Sequence, residues 1–255
     1  MTPNADNTPV PARDAPVGLF DSGIGGRSVW REVKQLLPHE HTVYFADTAF
    51  CPYGNRAAGD IIARTDEITK FLLSKQAKLI VVACNTATAA AIAHLRGTYA
   101  VPFVGMEPAV KPAALHSKSG VVGVLATRGT FKSRLYHDTL ARFASAVQFI
   151  EQPGDGLAEL VEAGDFESPE VYRLLEKYLR PMLDAGADHI VLGCTHYPFL
   201  IPAIRKVAGA QVHLIDPAPA VAQRVKALLE QHGLLNPAAG EGTHTFYSSE
   251  GALLH

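Results

Sequence analysis

The chain of 255 residues is long enough for one large domain or for two smaller domains that each bury a core. Its formal net charge of −2 gives no electrostatic reason to expect nucleic acid or an anionic membrane as a partner, and no apolar run reaches the length of a membrane span. Three widely separated cysteines indicate free thiols, and the polar, proline-rich start lacks a signal-peptide core, which together predict a cytoplasmic protein.

Short apolar runs alternate with amphipathic stretches in the first half, which is typical of parallel strands joined by helices. Residues 1–16 are predicted to form a disordered arm. The elements predicted after it are strand 17–20, helix 28–37, strand 42–46, helix 60–74, a strand-to-helix stretch at 79–92 and strand 101–105. The glycine-rich turn at 21–26 lacks the third glycine of the GxGxxG fingerprint, which argues against a dinucleotide site.

The second half continues the same alternation. Its predicted elements are strand 120–125, helix 135–144, strand 147–150, helix 171–185, a strand-to-helix stretch at 187–202, strand 212–216, helix 218–232 and strand 243–248. The last strand has no counterpart in the first half and is predicted to pack back on it. We therefore predict an α/β protein with two similar parallel-sheet domains, one discontinuous (residues 17–108 plus 217–255) and one continuous (residues 109–216).

Three segments of the first half recur in the same order in the second half. Cys84 and Cys194 end matching apolar runs at an offset of 194 − 84 = 110. Residues 106–109 resemble residues 215–218, and residues 17–20 resemble residues 122–125, at similar offsets. This collinearity predicts two copies of one α/β unit, which would place one thiol on each wall of a shared cleft.

Both of these cysteines follow an apolar strand and open a predicted helix, whose N-terminus lowers the pKa of a thiol. One buried cysteine is usually a small hydrophobic residue, but two at equivalent places with polar neighbours favour chemistry. His196 could hydrogen-bond Cys194 or take up its proton, and Asp21 could serve Cys84 in the same way. Cys51 has no matching partner and is interpreted as incidental.

Two thiols on opposite faces of one carbon suit a racemisation that formally requires no cofactor. One thiol removes a proton and the other returns one from the far side, so each acts as a base in one direction and as an acid in the other. The carboxylate beside the carbanion needs fixed hydrogen-bond donors. The candidate donors are Ser22, Asn85, Thr86, Thr195 and the backbone N–H groups of the turn at 21–26. The sequence shows no metal-ligand spacing.

Four motifs together resemble the glutamate racemases of the cofactor-independent aspartate/glutamate racemase superfamily. They are FDSGIGG at 20–26, YFADT at 44–48 with PYG at 52–54, ACNTAT at 83–88 and LGCTHYP at 192–198. The resemblance spans nearly the whole chain. It implies two α/β domains related by a pseudo-twofold axis, with the active site in the cleft between them.

The resemblance also implies an activity and roles for single residues. The activity is interconversion of L-glutamate and D-glutamate, which supplies D-glutamate for peptidoglycan. Cys84 and Cys194 would be the acid/base pair, assisted by Asp21 and His196. The implied substrate contacts are Asp21, Ser22, Tyr53, Gly54, Asn85, Thr86, Thr195 and His196. A homodimer is implied as well, and activation by a cell-wall precursor stays open.

Three alternatives compete with this interpretation. A racemase or decarboxylase of the same superfamily could act on another substrate, such as aspartate. A cysteine-dependent amidase or acyl transferase needs one nucleophile, a base and an oxyanion hole, so the second cysteine would be unexplained. A two-lobed binding protein has no use for paired thiols. Replacement of Cys84 or Cys194 by serine separates these classes.

Overall fold

The computed structural model of the protein describes residues 12–143 and 145–251. The strands are β1 Val17–Asp21, β2 Thr42–Ala46, β3 Leu79–Val82, β4 Phe103–Gly105, β5 Val121–Ala126, β6 Gln148–Pro153, β7 His189–Gly193, β8 His213–Ile215 and β9 His244–Ser248. The α-helices are α1 Arg27–Leu36, α2 Ala58–Ser74, α3 Asn85–Thr98, α4 Val110–His116, α5 Arg128–Phe131, α6 Arg134–Ala141, α7 Leu157–Glu162, α8 Pro169–Asp184, α9 Ile201–Ala208 and α10 Ala218–Gln231. Short 3₁₀ turns cover Thr48–Phe50, Tyr53–Asn55 and Tyr197–Leu200.

The strands form two parallel sheets with the same internal order. The first sheet runs β4-β3-β1-β2-β9, and the second runs β8-β7-β5-β6 when counted from the equivalent edge. Strands β5 to β8 therefore repeat the arrangement of β1 to β4. The predicted α/β class with two similar parallel sheets is confirmed, and the collinear sequence matches correspond to equivalent strands.

The C-terminal segment lies on the first sheet. Strand β9 pairs in parallel with β2, with Phe246 beside Tyr44 in the register. Helix α10 contributes Val225 to the same hydrophobic cluster as Val29 of α1. The sheet is thus built from both ends of the chain, while the exact domain boundaries near residues 108 and 216 stay predictions.

Central strands of the first sheet are covered by helices on both faces. Leu19 and Val81 pack into one hydrophobic cluster, while their neighbours Phe20 and Ile80 pack into another on the opposite face. All four side chains are fully buried. Burial on both faces explains why these strands read as continuous apolar runs rather than as alternating patterns.

Most predicted elements differ from the structure by one or two residues at their ends, and three differ by more. The helix predicted at 135–144 is α6, which ends at Ala141, and its last predicted residue lies outside the described part of the chain. The strand predicted at 147–150 continues to Pro153 because it pairs with β5 along six residues. The helix predicted directly after Cys194 is replaced by a 3₁₀ turn followed by α9. Pro198 and Pro202 lack the N–H groups that a continuous helix would need.

The predicted disordered arm falls mostly outside the described residues, because residues 1–11 are not described. Residues 12–16 lie against the first sheet, where Ala15 is buried and the Lys78 ammonium group donates a hydrogen bond to the carbonyl of Arg13. Over residues 12–143 and 145–251, no helix is long and apolar enough to cross a membrane.

Candidate active site

The two sheets face each other, and residues of the loops and helices that follow their strands form direct hydrogen bonds between them. The Ile24 amide donates to Glu162 Oε1 at 2.7 Å. The Ser28 hydroxyl donates to the Thr195 carbonyl at 3.3 Å, and the hydroxyls of Thr86 and Thr127 are 2.8 Å apart. These contacts bring the carboxyl ends of the strands in both sheets to one cleft, the usual ligand position in open α/β sheets.

A small cavity lies in this cleft. Its walls come from the first half and the second half of the chain. The lining residues are Ser22, Pro52, Tyr53, Gly54, Cys84, Asn85, Thr86, Thr127, Ala158, Cys194, Thr195 and His196. The structure therefore brings both predicted thiols to one cavity, together with most of the predicted contact residues.

Cys84 lies between β3 and α3 as the N-cap residue of the helix. Its Sγ accepts a hydrogen bond from the Ala87 amide at 3.4 Å and lies 4.0 Å from the Ser22 hydroxyl. Burial raises the pKa of Cys84 well above its ordinary value, and the neighbouring Asp21 carboxylate raises it further. The Ala87 amide at the helix N-terminus lowers this pKa, as predicted, but burial and the Asp21 charge outweigh it, so the pKa is raised overall.

Asp21 ends β1 directly beside β3 and is fully buried. Burial raises the pKa of this carboxyl, while the His196 charge and hydrogen bonds from the Gly26 amide and the Cys84 thiol oppose the rise. The Thr195 hydroxyl lies 3.4 Å from both carboxylate oxygens. Asp21 is thus behind the cavity wall, in contact with Cys84 rather than with the space a substrate would fill.

The glycine-rich turn donates backbone hydrogen bonds to two carboxylates of the site, those of Asp21 and Glu162. Gly26 donates its amide to Asp21 Oδ2 at 2.8 Å, and Ile24 donates to Glu162, so these amides are not available to a substrate as the sequence had suggested. A Cβ atom added at Gly25 would lie 2.7 Å from His196 Nδ1. Glycine is needed there because the turn closely approaches the opposite half of the chain.

Cys194 follows β7 and is paired with a histidine and a glutamate in series. Its Sγ lies 3.5 Å from His196 Nδ1, and His196 Nε2 lies 2.5 Å from Glu162 Oε1. Burial alone lowers the pKa of His196, but the contacts with Cys194, Cys51 and Glu162 raise it well above the ordinary value. An imidazolium in this position can exchange a proton with Cys194 while Glu162 holds the ring.

Tyr53 and Gly54 lie on the wall formed by the loop after β2. The Tyr53 hydroxyl donates to Asp47 Oδ2 at 2.5 Å, and Asp47 is paired with Arg64 at 2.7 Å. The hydroxyl of Tyr53, an implied substrate contact, is therefore hydrogen-bonded to Asp47, and burial raises the pKa of Tyr53. Tyr53 and Gly54 therefore line the cavity without offering it a free hydroxyl.

The side chain of Asn85 is a candidate substrate contact. Both amide atoms are buried and have no hydrogen-bond partner among the described residues. Leaving such groups unpaired costs about 1–3 kcal/mol per group. A ligand carboxylate in the adjacent cavity would accept from the Asn85 amide, so the orphaned side chain fits the predicted carboxylate contact.

Sequence reasoning missed Thr127 of the cavity wall and two residues that contact His196 from outside the cavity lining, Glu162 and Cys51. Glu162 ends the short helix α7, which no motif marks, and its position beside His196 arises only from folding. Cys51 was interpreted as incidental, yet burial raises its pKa to about 11 and it contacts both His196 and Glu162. The cysteine count was the sole available signal for Cys51.

Comparison with known proteins identifies the family. The family model described as Asp/Glu/Hydantoin racemase matches residues 26–225. This chain belongs to that racemase family. A glutamate racemase from Roseiflexus sp. (strain RS-1) is 54% identical over 221 residues, covering 86% of this chain and 81% of the relative. A glutamate racemase from Pseudomonas syringae pv. tomato is 52% identical, covering 94% and 86%.

Solved structures agree with this racemase assignment. A glutamate racemase isoform from Bacillus anthracis has a TM-score of 0.85 at 32% identity, covering 93% of this chain and 89% of the other. The Escherichia coli glutamate racemase, solved with L-glutamate and the activator UDP-MurNAc-ala, has a TM-score of 0.80 at 33% identity, covering 94% and 99%. The resemblance seen in the sequence motifs is confirmed.

Proposed function

We propose that this chain is a glutamate racemase that interconverts L-glutamate and D-glutamate by two-thiol proton transfer at the α-carbon. The observation that carries the proposal is the pair Cys84 and Cys194 on one cavity, each beside a titratable side chain with which it can exchange a proton. The identity of about 50% with several glutamate racemases supports glutamate as the substrate.

The two sides of the cleft are chemically different. Cys84 holds its proton because burial and Asp21 raise its pKa, so it starts as an acid. Cys194 lies 3.5 Å from His196 Nδ1, through which it can exchange a proton. One thiol takes the α-proton, the other donates a proton to the opposite face, and reversal of the roles returns the first enantiomer.

The carbanion beside the α-carboxylate needs stabilisation that is stronger in the transition state than in the bound substrate. Polar groups on the cavity wall could supply hydrogen bonds to the two substrate carboxylates. These groups are Ser22, Asn85, Thr86, Thr127 and Thr195. No step of this scheme formally requires a cofactor.

An amidase is the second candidate, and the geometry favours it less. An amidase would use one thiol with the His196 and Glu162 pair, but Cys84 and Asp21 would then have no role. Supply of D-glutamate for peptidoglycan synthesis in the cytoplasm, a homodimeric state and response to a cell-wall precursor remain predictions that follow from the proposed activity.

The proposal is tested by adding L-glutamate, and separately D-glutamate, to the metal-free, reduced protein without cofactor. Circular dichroism of the amino acid should decay toward zero from both directions, because the two enantiomers are equally stable. Conversion of aspartate but not of glutamate would support the two-thiol chemistry and contradict glutamate as the substrate. Release of ammonia from an amide without inversion of glutamate would favour the amidase.

Substitution Glu162→Gln should lower kcat/KM by about 10-fold, the lower end of the effect of losing a group that orients an active-site histidine. Glu162 helps to raise the pKa of His196, so its neutral replacement should lower that pKa. The alkaline limb of the kcat/KM profile should therefore move to lower pH. The control is Glu159→Gln on the exposed face of the same helix. An unshifted profile would show that Glu162 does not act through His196.

A further inference from the structure

Three potential metal ligands meet beside the catalytic cleft from distant parts of the sequence. Cys51 comes from the loop after β2, Glu162 ends α7, and His196 follows β7. One ligand atom from each residue lies within 4.8 Å of the other two. Cys51 and Glu162 are partly buried and His196 is fully buried, so the cluster is held by the fold.

We propose that Cys51, Glu162 and His196 form a binding site for a zinc-class divalent cation, and that occupation of this site inhibits the enzyme. Thiolate, imidazole and carboxylate are the ligands that Zn²⁺ prefers, whereas Mg²⁺ and Ca²⁺ prefer oxygen alone. Three protein ligands leave a fourth tetrahedral position for water.

The geometry is close to that of a bound site. Metal–ligand bonds of 2.0–2.3 Å place tetrahedral ligand atoms about 3.5 Å apart, and the three ligand atoms already lie within 4.8 Å of one another. His196 Nε2 and Glu162 Oε1, now 2.5 Å apart, would separate by about 1 Å as the cation replaces the proton between them. Rotation of the Cys51 side chain and a small shift of Glu162 could bring the three ligand atoms to this spacing.

Inhibition follows from what the cation would remove. His196 is the neighbour of Cys194, and Glu162 orients its ring. A cation on both residues would stop His196 from exchanging a proton with Cys194. This part of the inference rests on the proposed racemase activity, whereas the binding itself does not.

Binding is tested with Co²⁺ as a spectroscopic probe on the full, reduced chain. The wild-type protein should show a thiolate-to-cobalt charge-transfer band that Zn²⁺ removes by competition. Cys51→Ser and Cys51→Ala should lose this band and bind Zn²⁺ more weakly by about 10-fold or more. The matched variant Cys84→Ser should keep the band. A band that persists in both folded Cys51 variants, or is absent from the wild type, would contradict the proposed metal site.

Inhibition is tested separately by racemisation of glutamate with and without added Zn²⁺. The wild type should be inhibited, whereas Cys51→Ser should resist the metal when each rate is compared with the metal-free rate of the same protein. Equal inhibition of both proteins would overturn the inhibitory role and point to the cleft thiols as the target. A wild-type protein that does not racemise glutamate without metal would contradict the proposed function. The cobalt band would still show whether the metal site exists.

Discussion

Replacement of either Cys84 or Cys194 by serine is expected to slow glutamate racemisation by a factor of about 10² to 10⁴, the usual contribution of a positioned acid or base. A serine hydroxyl is a far weaker acid than a thiol and cannot hold a negative charge in this buried site. In the proposed mechanism each thiol has a different neighbour, Asp21 for Cys84 and His196 for Cys194, so neither thiol would replace the other.

The measurement is the initial rate in each direction, with Cys51→Ser as the control. The control should retain activity because Cys51 does not line the cavity and takes no part in the proposed proton transfer. A hydrolase would tolerate one of the two substitutions, and a binding protein would tolerate both. Retention of near wild-type racemisation by either cleft variant would contradict the two-thiol mechanism.

Substitution Lys78→Met is expected to reduce the free energy of unfolding by about 3–5 kcal/mol, the typical cost of breaking a buried ion pair by removing one partner. Lys78 Nζ lies 2.6 Å from Glu40 Oε2, with both side chains almost fully buried. Glu40 also accepts the amide of Asn236 at 2.8 Å, so the pair ties the C-terminal segment to the first sheet. Without Lys78 the Glu40 charge would be left uncompensated.

The chain offers a matched control in a surface pair with the same separation. Lys70 Nζ lies 2.6 Å from Asp66 Oδ2, but the Lys70 side chain is 66% exposed. Substitution Lys70→Met should cost about 1 kcal/mol or less. Urea unfolding followed by circular dichroism gives both values. Equal losses of unfolding free energy in the two variants would show that burial does not determine how much the Lys78–Glu40 pair contributes to stability.

Periodicity and repetition predicted the framework well, because parallel strands buried on both faces have a distinct apolar pattern. The offset between Cys84 and Cys194 reflects equivalent strands β3 and β7 in two sheets of the same order. Short helices such as α5 and α7 were not predicted, since four to six residues are too few to show a helical period.

Electrostatics of the site could not be obtained from sequence. A helix N-terminus at Cys84 predicts a lowered pKa, yet full burial beside Asp21 reverses the sign. Glu162 and Cys51 reach His196 through tertiary packing of loops that are far apart in the chain. The Tyr53 hydroxyl is directed to Asp47 by the same kind of packing, which no local pattern reports.

In the two-thiol mechanism two different groups act on opposite faces of the α-carbon, and isotope exchange in D₂O distinguishes this from a single base. Racemisation of L-glutamate is started with wild-type protein, and both enantiomers are separated after a few per cent of conversion. Deuterium is expected at the α-position of nearly all D-glutamate formed, while the remaining L-glutamate keeps its hydrogen. A D-glutamate product that retains the substrate hydrogen, or equal early labelling of both enantiomers, would indicate a single base and rule out the two-thiol mechanism.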